Sequence, residues 1–536
     1  MKVAKFVALS ALPCAVVLLL GSQTARVQFG SSVVLAASHD NDNGQNGKGQ
    51  DDGKALNGEV RDALNAAGFT GDIEKTFQRR IKVNLGRPID PKLADLGRLL
   101  WFDNLHSNGR DNTCGGCHSP TNGMGDSQPM AIGVQNNNVV GPHRTGPRNQ
   151  RRTPTVVNTA LFPRLMWNNR FESLAGDPFD NSRGFSFPAP EGDARFSASE
   201  AARRGVTHLL QAQVHIPPTE LIEVGGFEGI CPGGVATYPE ESRLCQFDVP
   251  GPGQQVPLRD ASGFRNEPIR QVALAALNAN ATYRTLFGRL FPAVARGGPI
   301  DFFMFGKAIA EFEFTLVFAN APVDQFARGD HDALSTSEKR GALVFFGKAN
   351  CVSCHKVDGK SNEMFSDFKE HVLGVPQVFP QFGVATGNFI FSGPSENEDF
   401  GREERTGDIA DRYKFRTGPL RNLAVSPGLF HNGAYSNLSD AIRFHLNVVE
   451  EARDYDPADN VPADLRQVGP LVPKGLVHPS LRKRIKLTDQ EFSDLVRFVK
   501  DGLLDERVRK SNLCGLIPAA VPSGLPVAAF EGCPAP

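Results

Sequence analysis

Leu93, Leu96, Leu99 and Leu100 recur at helical spacing just ahead of Trp101 and Phe102, which predicts an amphipathic helix there. From Phe302 to Val317 the apolar residues fall on nearly every face, the pattern of a buried helix. Leu438, Ala441, Ile442 and His445 sit at i, i+3, i+4 and i+7, so the histidine lies on the inward face of a third helix. Near the C-terminus, Thr488 and Glu491 form a capping box, and Phe492, Leu495, Val496 and Val499 then mark one helical face. Long Gly-, Pro- and Asn-rich stretches, such as Gly123 to Pro154 and Val224 to Gly263, separate these helices. A chain this rich in loops needs an organiser besides its hydrophobic core.

The pattern at the N-terminus is different. Lys2 and Lys5 precede an apolar run from Phe6 to Leu20, short for a membrane span and followed by small residues. This reads as a secretory signal peptide within residues 1–37, cleaved between Gly21 and Ala37, with an uncleaved anchor as the alternative. Residues Ser38 to Lys54 are polar and nearly lack apolar groups, so 38–56 is expected to be a disordered linker. Beyond it the chain repeats itself weakly: "LGRLLWFDN" precedes one cysteine motif and "RGALVFFGKAN" a second. Two related domains are therefore expected, over 57–329 and 330–510, with a tail over 511–536. No later segment is long and apolar enough to span a bilayer, and the expected destination is the periplasm.

Composition narrows the chemistry. A formal net charge of −1 gives no reason to expect nucleic acid as a partner. Phenylalanine dominates the aromatics, 38 against 5 Tyr and 2 Trp, which suits apolar pockets around a large flat cofactor. Of the nine cysteines, Cys14 falls in the signal, while Cys231 with Cys245 and Cys514 with Cys533 are expected to form disulfides in an oxidising compartment.

The remaining four lie in Cys114-Gly115-Gly116-Cys117-His118 and Cys351-Val352-Ser353-Cys354-His355. Both are C-x-x-C-H, a spacing that lets two thiols reach the vinyl groups of one haem while the adjacent histidine ligates iron. A zinc site or a dithiol pair is the competing reading, but neither requires histidine at that position. His118 and His355 are the expected proximal ligands of two covalently bound haem c groups.

From about Leu93 to Leu503 the chain resembles the bacterial dihaem cytochrome c peroxidase/MauG superfamily. The blocks that carry the resemblance are "LGRLLWFDNLHSNGRDNTCGGCHSPTNGMGD", "RRTPTVVNTALFPRLMWNNRFESL", "RGALVFFGKANCVSCH" and "FRTGPLRNLAVSPGLFHNGAYSNLSDAIRFH". It implies a mainly α fold of two cytochrome c-like haem domains joined by long irregular loops. The N-terminal haem would react with peroxide and the C-terminal haem would relay electrons.

The resemblance also places side chains. The family's acid/base glutamate matches Glu220 in His215-Ile216-Pro217-Pro218-Thr219-Glu220-Leu221, and its inter-haem tryptophan matches Trp167. Where reductively activated members carry a blocking histidine after Ile-Gly, this chain has Val134, so the first haem is expected to be open; His143, and also His106 and His215, are candidate substitutes. The second haem's sixth ligand falls at His445, and a bis-histidine pair lowers the reduction potential relative to His/Met. His431 matches a further residue near that haem. The family's calcium would meet carbonyls at Ser426 and Gly428, but its asparagine position is Arg152 here, with Asn149 nearby.

The function so implied is an exported dihaem peroxidase that reduces hydrogen peroxide, with electrons supplied by a small c-type cytochrome, a cupredoxin or a companion protein. One alternative is a MauG-like enzyme using a shared high-valent dihaem state to oxidise a partner protein or organic substrate. Another is a non-catalytic dihaem electron carrier.

Overall fold

Gly97 lies so close to the helix crossing it that a Cβ there would sit 1.9 Å from the carbonyl oxygen of Ala308. The helix Pro91–Trp101, capped by the Asp90 side chain, thus crosses Phe302–Phe314 at backbone contact. The same device recurs in the second half. A Cβ at Gly341 would lie 2.0 Å from the carbonyl oxygen of Asp494, where Thr336–Phe346 crosses Asp489–Arg497. Both glycines occupy the repeated sequence blocks, and both crossings hold the helix that leads into a C-x-x-C-H turn. Only glycine permits that approach.

The computed structural model describes residues 48–359, 362–380 and 395–534, and Asp51–Pro536 forms one unit. The signal-peptide expectation lies outside the described residues. The linker expectation meets them at its end, where the helix Lys48–Ala66 begins. That helix is polar at its start and is held by Val60 and Leu64, both buried against Val323, Phe326 and Phe345. Burial further along the helix therefore overrides the polar composition of its first turns.

The fold is mainly α, with strands only two or three residues long. Arg164–Leu165, Phe171–Ser173 and Phe185–Ser186 form an antiparallel sheet, with Leu165 opposite Phe171 and Glu172 opposite Ser186. The predicted elements are present: Leu93, Leu96 and Leu100 are buried, Thr488 and Glu491 form a reciprocal capping box, and Leu438–Leu446 is a helix. The apolar helix ends at Phe314, short of the expected Val317.

Both expected disulfides are present, Cys231–Cys245 and Cys514–Cys533, with Cα atoms 5.3 and 5.5 Å apart. The tail that the second one closes returns to the first half. Ala529–Phe530 pairs in parallel with Val139–Val140, and Phe530 packs against Phe102. Insertion 226–265 packs Phe227, Leu244, Phe247 and Val256 against Val134 and Ile222.

Candidate active site

The first C-x-x-C-H motif forms the helical turn Cys114–Cys117, and His118 follows as its cap. The Nδ1 of His118 lies 3.0 Å from the carbonyl oxygen of Pro154. Donating there fixes the tautomer and leaves Nε2 as a free lone pair. Burial holds His118 down to about 4, so the ring is neutral and able to ligate. A cavity of about 190 Å³ opens beside it, several times the roughly 30 Å³ share of one water. His118 is its only histidine among the described lining residues.

The wall of that cavity includes Glu223. It lies in the π-helical turn Leu221–Gly225, where both Val224 and Gly225 donate to the carbonyl of Glu220. Such turns widen the backbone locally and concentrate at functional sites. The turn is pinned from outside by Asn112, whose amide donates to the Glu223 carbonyl at 2.6 Å, and by Ser107, which donates to Val224 at 3.0 Å. Arg144 in turn donates to the Asn112 side chain at 2.8 Å and to the Val139 carbonyl, linking this wall to the strand closed by the C-terminal tail.

Burial pushes the Glu223 carboxyl up to about 7, and the negative charge of Glu220 adds to this. Arg170 and a hydrogen bond from Asn149 pull it back. Glu220, the expected acid/base residue, does not line the cavity: its side chain lies 3.5 Å from Arg170 and is a quarter exposed. A second acid lines the void. Glu313, on Phe302–Phe314, is buried and raised to about 8 by desolvation, and its Oε2 has no partner among the described residues. The available signal for both was an acidic residue inside an apolar run, Leu221-Ile222-Glu223-Val224 and the helix from Phe302.

The second motif repeats the proximal arrangement. His355 Nδ1 lies 2.9 Å from the carbonyl of Phe365. Across a cavity of about 260 Å³ stands His445, whose Nδ1 lies 2.8 Å from the carbonyl of Ala441. The two ring centres are 6.2 Å apart. Two metal–nitrogen bonds of about 2 Å each, plus the offset from nitrogen to ring centre, span about 6 Å. Burial holds His355 down to about 4, helped by His445, and burial lowers His445 as well. Both therefore present neutral nitrogens towards one intervening position.

Trp167 and Arg416 line both cavities. The Trp167 indole donates to the carbonyl of Arg152 at 2.7 Å, and the Arg416 amide donates to the carbonyl of Trp167 at 2.7 Å. Several buried polar atoms on the cavity walls lack partners among the described residues: Trp101 Nε1, Asn168 Oδ1, Arg416 Nε and His431 Nε2. The donors among them, Trp101 Nε1 and Arg416 Nε, are what the carboxylates of a bound haem would satisfy, whereas Asn168 Oδ1 can only accept. Cys114, Cys117, Cys351 and Cys354 are unpaired thiols, and among the described residues no three His, Cys, Asp or Glu side chains converge on a metal position. The arrangement fits a haem c in each cavity better than zinc or a dithiol pair.

Calcium does not fit. At the expected position the Arg152 guanidinium donates to the carbonyls of Asp126 (2.7 Å) and Gln128 and to Ser426 Oγ (3.2 Å). A Cβ at Gly428 would fall 2.7 Å from it. Asn149 is engaged with Glu223 instead. An arginine cannot coordinate a cation; it stands in the cation's place.

The candidate blocking histidines lie elsewhere. His143 is 83% exposed and pairs with Glu531 at 2.8 Å. His106 and His215 are buried against Phe305 and against Phe302 and Phe303 respectively, outside the cavity lining. Val134 is buried and donates to the carbonyl of Ile222. His431 stacks on Phe415 at 3.6 Å and lines the second cavity.

Comparison with known proteins matches residues 91–332 to the family model for di-haem cytochrome c peroxidase. Over that stretch the chain is similar to the di-haem cytochrome c peroxidase family. It is 25% identical to a cytochrome-c peroxidase of Pseudomonas sp. (strain SCT), over 66% of this chain and 73% of that protein. The methylamine utilization protein MauG of Methylorubrum extorquens is 24% identical, over 67% and 70%. Cytochrome c551 peroxidase of Pseudomonas aeruginosa is 25% identical, over 67% and 72%. A solved MauG-like protein associated with microbial copper homeostasis aligns with TM-score 0.48 at 21% identity, over 78% of this chain and 91% of that one. This dihaem peroxidase relative is an oxidoreductase.

Proposed function

We propose that the protein is an exported dihaem peroxidase that reduces hydrogen peroxide in the first cavity, with electrons entering through the second. One asymmetry carries the reading. Each cavity holds a C-x-x-C-H imidazole with its Nδ1 fixed, but the second faces it with His445, whereas the first has no second histidine among its described lining residues and carries Glu223 and Glu313 in its wall. A second imidazole saturates a metal, whereas a carboxylic acid leaves the position open for a small reactant.

Haem, when bound through Cys114 and Cys117 or Cys351 and Cys354, supplies the iron and the electron-transfer chemistry at each site. The protein supplies the rest. Glu223 is the proton carrier in this reading, taking a proton from the near oxygen of the incoming peroxide and returning it to the far oxygen. Its position near neutrality suits both tasks. Glu220, three residues before it, acts through charge and holds Arg170 in reach. Ile222, Val224 and Leu210 keep the wall apolar and limit water. Trp167, shared by both cavities, is the path between them. Residues 57–329 and 330–510 would each form one haem domain, and the two disulfides accord with the periplasm.

Electron paramagnetic resonance of the oxidised holoprotein tests this. One high-spin and one bis-histidine low-spin ferric signal, with the high-spin signal lost on adding peroxide, is the expected result. Two low-spin signals, inert to peroxide until an electron is supplied, would overturn the open first site.

A further inference from the structure

We propose that the segment from Val468 to Leu487 is a docking surface for the acidic face of a small redox protein that delivers electrons to the second cavity. The inference rests on the peroxidase reading above and names the partner chemistry that the reading leaves open. Between Val468 and Thr488 the chain carries five cations, Lys474, Arg482, Lys483, Arg484 and Lys486, and no Asp or Glu. All five are exposed, and among the described residues none takes part in an ion pair. Cations elsewhere are commonly matched, as Lys348 is with Glu491 at 2.6 Å. With a net charge of −1 overall, the molecule has concentrated unmatched positive charge in one place.

The same segment exposes apolar side chains that a solvated loop would not keep. Val468 is 40% exposed, Leu471 52% and Leu476 49%. Apolar groups ringed by unpaired charges of one sign are the anatomy of an interface that steers and then seats an oppositely charged partner. The surface is also held in shape. Val468 pairs with Val378, His478 donates to the carbonyl of Val372 at 2.9 Å, and Arg482 donates to the carbonyls of Val477 and Gly475. A partner therefore meets a preformed face and loses little entropy in ordering it.

Its inner side decides the kind of partner. Val472, His478, Leu481 and Ile485 line the second cavity, and the Ile485 amide donates to the carbonyl of Leu446, next to His445. The segment is thus cavity wall within and basic, apolar surface without. A protein seated there brings its own redox centre to within one layer of side chains of the His355–His445 position. Each encounter passes one electron, so the partner is oxidised by one unit. Two encounters and two protons complete the conversion of one hydrogen peroxide to two waters.

The test uses the holoenzyme and the triple variant Lys474→Glu, Lys483→Glu, Lys486→Glu, none of which touches the cavities. Reduction of the second haem by a reduced acidic c-type cytochrome is followed by stopped flow from low to high ionic strength. The wild type should react fast at low salt and slow steeply as salt rises; the variant should be about tenfold or more slower at low salt and converge with it at high salt. Reduction by dithionite should be equal in both. Equal cytochrome rates and equal salt dependence in the two proteins would overturn the proposal. So would binding of phosphatidylglycerol vesicles lost in the variant while the cytochrome rate is unchanged, which would make the surface a membrane contact. Peroxide consumption by the dithionite-reduced enzyme is read separately: its absence would sink the peroxidase reading, while the haem-reduction rates would still judge the docking surface.

Discussion

Trp167 donates its indole N–H to the carbonyl of Arg152, whose own guanidinium is bound to the carbonyls of Asp126 and Gln128. One residue thus aligns the aromatic ring shared by both cavities and fills the position where the family resemblance implied calcium. Its backbone carbonyl anchors the indole, while its buried side chain occupies the position expected for the ion.

Chelation should consequently leave the protein unchanged. The melting temperature of the wild type is expected to be the same with and without EGTA. Arg152→Asn should lower it, because leaving buried carbonyls unsatisfied costs about 1–3 kcal/mol each. Added calcium should restore part of that loss only in the variant. A chelator-sensitive wild type would contradict the structure.

Trp167→Phe keeps an aromatic ring but leaves the Arg152 carbonyl without its donor, at a cost of about 1–3 kcal/mol. Donor-driven peroxide turnover should fall while both haem spectra persist. Unchanged turnover would remove Trp167 from the electron path.

Glu223→Gln should cut kcat/KM for peroxide by about 10²- to 10⁴-fold, the usual worth of a positioned acid/base group. In the wild type the carboxylate form, needed to accept the first proton, gains population as pH rises through about 7. Glu220→Gln removes a neighbouring negative charge, so this midpoint should move to lower pH with a smaller loss of rate. If Glu220→Gln proves the more damaging change, the acid/base role belongs to Glu220.

Glu313 offers a stability test. Its folded value of about 8 lies above the ordinary carboxyl range, so the fold favours the protonated form. The favourable contribution is fully present at acid pH and is lost as pH rises through about 8. Glu313→Gln needs no proton, and its melting temperature relative to wild type should rise between pH 5 and pH 9. A constant difference would mean that Glu313 does not titrate in this range.

Removing Cys514–Cys533 with paired serines should cost about 2–4 kcal/mol. Hydrogen exchange should quicken at Val139 and Val140 as well as in the tail, since Ala529–Phe530 is their strand partner. Exchange confined to the tail would show that the strand pairing holds without the bridge.

Much of this architecture was legible in the chain. Leu93, Leu96 and Leu100 announced the helix leading to the first motif because burial on one face leaves a 3.6-residue period. The Thr488–Glu491 box was legible because capping is local. His445 was found by both periodicity and resemblance, and it faces His355. The place of Glu223 on the cavity wall was not legible because it depends on a π turn that shifts the backbone register after Glu220, which no spacing rule reveals. Arg152 was seen only as a misfit at a metal position. Its three acceptors come from Asp126, Gln128 and Ser426, and so much sequence separation leaves no local pattern. The linker expectation over 48–56 failed in part because composition cannot register what Val60 and Leu64 anchor further along the same helix.

The strand Ala529–Phe530 also has a meaning in time. A polypeptide is made from its N-terminus, so Cys114, His118 and Glu223 emerge long before the residues that close over Val139 and Val140. Arg144 and Asn112 link that closure to the backbone of Glu223. The first cavity is therefore the earlier to be synthesised and the later to be finished. A chain cut short before residue 529 lacks the strand that completes this network, while residues 330–510, which supply His355 and His445, are already whole.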